Sequence, residues 1–257
     1  MTVPVSRTSA RFEFLLRQGD NALILGHRTS EWCGHAPALE EDIALANTAL
    51  DLIGQTQLWL GYAAEVEGKG RTADDLAYLR DAYDFKNLLL LEVPNQDFGR
   101  TILRQFLFDA FQVPWLEALQ DSSDTRVAEI AAKSVKEARY HLDRSAETLV
   151  ALGDGTEKSN AMMQAALAYL WPYAVEIFAD DATDAAMAQD AIAPLPSSLY
   201  SGWHSSVSDR LAEATLSLPE SRFVHKGGRR GSRHTEHLGH LLAIMQVLPR
   251  SYPNARW

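Results

Sequence analysis

"KEARYH", residues 136–141, decides how the chain is read. Glu137 and His141 lie in a segment, 124–152, whose apolar residues recur at helical spacing. Di-iron sites inside helical bundles take a Glu-x-x-His from each of two helices and one carboxylate from each of two others. Here the spacing is Glu-x-x-x-His, one residue longer. The segment is therefore a ligand helix, the remnant of one, or an ordinary helix face on which Glu137 joins Lys133 in a solvated row.

Outward from this segment the same period continues. It predicts helices at about 8–32, 38–67, 73–91, 96–120, 124–152, 158–179, 198–216 and 233–248. Each break has a local cause. "GHAP" (34–37) brings Gly34 and Pro37, and "EGKGRTADD" (67–75) ends in a Thr72 cap. "VPNQD" (93–97) combines a proline with an Asn95 cap, and "LGDGTEKS" (152–159) is a glycine-rich turn. "IAPLPSS" (192–198) is a proline connector with a serine cap. Strand-like alternation is nearly absent. The helices at 38–67, 73–91, 96–120 and 124–152 are joined by short loops, which favour antiparallel neighbours and a long four-helix bundle. The N-terminal helix and the last three pack around it. No linker suggests a second domain, so 1–257 reads as one all-α domain.

Composition narrows the function classes. In 257 residues the hydrophobic fraction is 46% and the charged fraction 23%, which is a globular balance with a sizeable core. A net charge of −10 argues against a nucleic-acid partner. No apolar run is long enough to span a membrane, and the N-terminal stretch lacks the apolar core of a signal peptide, so the expected compartment is the cytoplasm. One cysteine, Cys33, allows neither an intrachain disulfide nor a cysteine-rich zinc site.

Charges on apolar helix faces are the next signal. On a wheel of about 100° per residue, Asp42 aligns with Ala46, Ala49, Ile53 and Leu60, and Asp109 with Phe98, Ile102, Val113 and Leu116. Lys86 falls in the sector of Leu79, Tyr83 and Leu90; His141 flanks the stripe of Ala131, Ala138, Leu142 and Leu149, with Glu137 nearer the edge. A charge facing a core costs several kcal/mol unless paired or coordinated. Either these groups hold iron, or Lys86 supplies the positive charge in iron's place. The segment "RDAYDFKN" (80–87) has no histidine, which favours the second reading and leaves an autonomous di-iron oxygenase or oxidase as the alternative. His234, His237 and His240 rotate round their helix rather than converge, and Cys33 with His35 lacks an orienting third group. "GKGR" (68–71) and "KGGRRG" (226–231) lack the context of a P-loop. Trp32, Trp59, Trp115 and Trp171 read as core or interface anchors.

Four blocks carry a resemblance: "SEWCGHAPALEEDIALANTALDLIGQ" (30–55), "NLLLLEVPNQDFGRTILRQF" (87–106), "KEARYHLDRS" (136–145) and "GGRRGSRHTEHLG" (227–239). They resemble the C subunits of bacterial ring 1,2-phenylacetyl-CoA epoxidases, over nearly the whole chain. The resemblance implies a ferritin-like fold and a noncatalytic structural subunit of a multicomponent monooxygenase. It implies a di-iron centre held by a sister A subunit, a small bridging B subunit, and a reductase E subunit with flavin and an iron–sulfur cluster. The chain itself would then hold no cofactor. Asp42, Lys86, Asp109, Glu137 and His141 would be a vestigial metal-site cluster.

The stretch 221–235 holds Arg222, Lys226, Arg229, Arg230 and Arg233 and no acidic residue. Gly227, Gly228 and Gly231 would let its backbone approach an anion closely. With the resemblance, Lys226, Arg229 and Arg230 are expected to reach the phosphates of phenylacetyl-CoA at the junction with the A subunit; otherwise the stretch is a solvated basic loop.

Overall fold

The structure, a computed structural model, describes residues 7–220, 223–253 and 255. Ser221 and Arg222 of the basic stretch, and the first six residues of the N-terminal segment, lie outside them. Every regular element among the described residues is helical. In chain order they are α1 (Arg7–Ser30), α2 (Leu39–Glu67), α3 (Ala73–Tyr78), α4 (Leu89–Glu92) and α5 (Phe98–Leu119). There follow α6 (Thr125–Gly153), α7 (Glu157–Ala174), α8 (Ala182–Gln189), α9 (Tyr200–Glu213) and α10 (Glu236–Ser251). The elements group into two compact units, residues 1–94 with 226–257, and residues 95–225.

The first unit is built on the antiparallel hairpin of α1 and α2. A Cβ on Gly19 would overlap the Leu60 side chain, and one on Gly26 would lie 3.2 Å from Leu52 Cβ, so the backbones approach closely and run in opposite directions. Residues 14–26 of α1 are buried without a gap, including Arg17, Gln18, Asp20 and Asn21. A helix buried all round must find partners for such groups.

Those partners explain the main departure from the predicted helices. The helix expected at 73–91 is only α3, closed by a Thr72–Asp75 capping box, a 3₁₀ turn at Ala82–Asp84, and the short α4. Asp20 Oδ2 accepts the Lys86 backbone N–H at 2.8 Å, and Asn21 Oδ1 accepts that of Leu88 at 2.9 Å. Tertiary hydrogen bonds from α1 thus replace the helical ladder at residues 86 and 88. The C-terminal segment covers this irregular stretch. Gly228 and Gly231 lie against it so closely that a Cβ would meet the Asn87 carbonyl oxygen at 2.5 Å and the Tyr83 carbonyl oxygen at 2.8 Å. Gly231 also has φ +60°, which favours glycine. Farther on, Gln246 Nε2 donates to the Ala77 and Arg80 carbonyl oxygens, and Arg250 to those of Tyr78 and Arg80.

The second unit is built on the antiparallel hairpin of α5 and α6. Asp109 meets Ser145 near its middle, and Glu117 meets Arg139 toward its end. Asp97 caps α5, where Asn95 was expected, and Asp124 caps α6. The proline connector begins a 3₁₀ turn, Pro196–Leu199, with no serine cap, and the sequence pattern missed α8. Trp203 anchors α9 on α5: it is buried, donates from Nε1 to the Leu107 carbonyl oxygen at 3.1 Å, and stacks on Trp171.

Candidate functional site

In the first unit the buried charges are neutralised inside the protein. Asp20 is fully buried, and both its oxygens bind the Arg80 guanidinium, with Nη1 at 3.0 Å from Oδ2. The same guanidinium lies 4.3 Å from the centroid of the Phe85 ring, where the ring's negative face adds to its stabilisation. Glu92, also fully buried, accepts from Asn87 Nδ2 at 3.1 Å and from the Thr235 backbone N–H at 2.5 Å. His234 Nδ1 stands 2.9 Å from Glu92 Oε2 and Nε2 stands 3.2 Å from the Phe85 carbonyl oxygen. Arg28 closes the group, donating from Nη2 to the Glu92 carbonyl oxygen at 2.7 Å.

The candidates from this unit have other partners. The wheel that turned Lys86 inward does not apply, because 79–88 is not an α-helix and its sector mates Leu79 and Tyr83 are exposed. Lys86 is half-buried, and its ammonium donates to the Arg230 carbonyl oxygen at 3.1 Å. Asp42 is half-buried, and its Oδ2 accepts the backbone N–H groups of Gly34 at 2.8 Å and Ala36 at 3.2 Å, closing the turn before α2. Arg80 is the cation on this unit's buried Asp20. Nothing singled out Asp20, Arg80, Glu92 or Arg28 beforehand. The usable signal was Arg17 and Asp20 inside the apolar run "LLRQGDNALIL" (15–25).

In the second unit Asp109 is buried on α5. Gln105 Nε2 donates to its two oxygens at 2.9 and 3.1 Å, and Ser145 Oγ donates to Oδ2 at 3.3 Å. Burial pushes its pKa well above the ordinary 3.8, outweighing the opposing pull of Gln105, Ser145 and the Arg144 charge. His141 on α6 is buried with its ring edge-on to Tyr140, and Glu137 is half-buried.

These donors do not fit a pair of irons. Asp109 accepts from Gln105 and Ser145, and Asp42 is committed to backbone N–H groups. Among the described residues no group of three or more His, Cys, Asp or Glu side chains could hold a metal ion. His234 is tied to Glu92 while His240 is exposed, so the three histidines near the start of α10 do not share one ion.

The basic stretch forms a 3₁₀ turn at Gly228–Arg230. Lys226 and Arg230 are exposed and Arg229 is half-buried. Gly228 and Gly231 serve the close approach of this turn to residues 83–89.

Comparison with known proteins adds the family. A family model described as "Phenylacetic acid catabolic protein" matches residues 2–257. The chain is 47% identical over 244 residues to the C subunit of the Escherichia coli (strain K12) 1,2-phenylacetyl-CoA epoxidase, covering 95% of this chain and 98% of that one. The chain belongs to this family. Phenylacetic acid catabolic proteins of this kind are ferritin-like, and the all-helical chain, with one long antiparallel hairpin in each unit, has that fold. No helix of this family member, among the described residues, is long and apolar enough to cross a membrane.

Proposed function

We propose that the chain is a noncatalytic structural subunit of a multicomponent monooxygenase that epoxidises the ring of phenylacetyl-CoA in phenylacetate breakdown, in the cytoplasm. The di-iron chemistry belongs to a catalytic A subunit, which this chain supports as one ferritin-like domain. A small B subunit bridges the assembly, and a reductase E subunit feeds electrons through flavin and an iron–sulfur cluster. The name of the E. coli relative supports the assignment to such an assembly. Asp109, Glu137 and His141, all in the second unit, are read as what remains of a ligand set, whereas Asp42 and Lys86 are bonded elsewhere.

One observation carries the structural role. Leu39, Ile43, Leu50 and Ile53 fall on a single face of α2 and are 71%, 54%, 65% and 39% exposed. Ala46, Gly54 and Gly61 share that face, and the two glycines have open space where a Cβ would be. An apolar row of this length in water marks a contact surface. Helix α2 carries six acidic residues and no lysine or arginine. The row therefore suits a partner helix with an apolar stripe and basic flanks. Leu50→Lys is expected to abolish co-purification with the A subunit while leaving the chain's own melting temperature nearly unchanged. Retained binding would contradict the docking face.

The basic turn completes the reading. Lys226, Arg229 and Arg230 are assigned to the CoA phosphates at the subunit junction, where arginine suits bidentate contact. Charge reversal at Arg229 and Arg230 is expected to raise KM for phenylacetyl-CoA in the assembled complex, and more so at low salt. An unchanged KM in an intact complex would return the turn to a solvated loop.

A further inference from the structure

Between α1, α2, α3 and α10, all in the first unit, lies a cavity of about 120 Å³. Its floor includes the buried Leu23 and Ala77, its walls include His27, Tyr78 and Met245, and the exposed Asp74 stands at its edge. Two lining hydroxyls are already committed: Thr56 donates to the Leu52 carbonyl oxygen at 2.9 Å, and Ser30 to that of His27 at 2.8 Å. The interior is thus mostly apolar. The polar groups of the lining that remain are the exposed Gln57 amide, the Asp74 carboxylate and the Tyr78 hydroxyl. His27 Nδ1 is itself buried beside Glu31 Oε1 at 3.8 Å, out of a ligand's reach. Burial and the Asp74 charge raise the pKa of Tyr78, so its hydroxyl keeps its proton as a donor.

We propose that this cavity binds a small neutral or cationic molecule consisting of one aromatic ring and a short arm ending in a hydrogen-bond donor. Size sets the first limit. An apolar cavity of about 150 Å³ holds one benzene ring, so this slightly smaller space accepts a single small ring with its arm at the open edge, and not a nucleotide. Charge sets the second. The lining contains Asp74 and no lysine or arginine, and α2 adds none. A carboxylate would meet repulsion at the edge, whereas an ammonium or hydroxyl finds an acceptor there. Ring and arm divide accordingly, the ring against Leu23, Ala77 and Met245, the donor toward Asp74. This site is separate from the basic turn, shares Ile53 with the apolar row of α2, and does not depend on the function proposed above.

The test uses the full chain with ¹³C-methyl methionine, alone or co-purified with its partner. Met245 is assigned with Met245→Leu. The protein is titrated with 2-phenylethylamine, 2-phenylethanol and phenylacetate, which share a skeleton and differ in head-group charge. The amine and the alcohol are expected to shift the Met245 methyl resonance saturably, and phenylacetate is expected to need about threefold more ligand than the alcohol for the same shift. Because Asp74 is exposed, Asp74→Asn should weaken the amine only about threefold and leave the alcohol unchanged. Ala73→Phe, at the cavity's edge, should remove both responses, with a thermal melt to verify folding; Ala73→Leu takes its place if the larger side chain lowers the melt. No saturable shift with either probe, equal binding of phenylacetate, or shifts that survive the blocking substitution would each overturn the assignment.

Discussion

Asp109 and Asp20 are both buried carboxyl groups with opposite solutions. Asp20 is matched by a guanidinium, while Asp109 is matched by an amide and a hydroxyl, and burial raises its pKa. A raised folded-state pKa means that the fold binds the proton more tightly than the unfolded chain does. The contribution of Asp109 is therefore complete below the ordinary carboxyl range and is lost as pH rises through the folded-state value. Asp109→Asn removes this loss. Its melting temperature should gain on the wild type as pH rises, and a gap that shrinks with rising pH would contradict the neutral carboxyl. For Asp20, removing one partner of a buried pair costs about 3–5 kcal/mol. Denaturant unfolding of Arg80→Met should show a loss of that size, and Asp20→Asn/Arg80→Met should recover part of it. Lys86→Met, whose ammonium bonds a carbonyl oxygen at a half-buried site, should cost only about 1 kcal/mol. The inward position of Asp109 was legible in the sequence because α5 really is a helix and its stripe period holds. That of Arg80 was not, because its surroundings follow no period.

At the scale of elements, the long helices and the Thr72 cap follow local rules, and local rules read them well. The segment 79–92 does not. Its residues have helical periodicity, yet Asp20 and Asn21, 66 and 67 positions away in sequence, take the backbone N–H groups of Lys86 and Leu88. No wheel contains that information. The same cause hid the purpose of "KGGRRG": its glycines are set by the carbonyl oxygens of Tyr83 and Asn87. Gly231→Ala should therefore destabilise by about 1–3 kcal/mol, since a non-glycine residue would be forced into a left-handed conformation against backbone atoms. His234→Ala, which takes a charge-assisted partner from Glu92, should cost about 1.5–3 kcal/mol. Thermal melts of the two variants should fall together if the C-terminal segment and 79–92 form one cooperative element. A wild-type melt in either would contradict the strap.

At the scale of the molecule, each unit holds a long antiparallel hairpin, the buried Asp20 and Asp109 are bonded by protein groups, and α2 presents an acidic helix with an uncovered apolar row. The misspaced Glu137 and His141 raised the question of metal from the sequence, but the bonds of Asp42, Asp109 and Lys86 depend on turns and neighbours that spacing cannot supply. The central claim is that this chain supports oxygen chemistry without performing it. Iron content, measured by mass spectrometry on the chain purified alone from iron-replete medium, tests it most directly. The account predicts well under one iron per chain and no reaction with oxygen. Two tightly held irons per chain, reduced and reoxidised by oxygen, would contradict it.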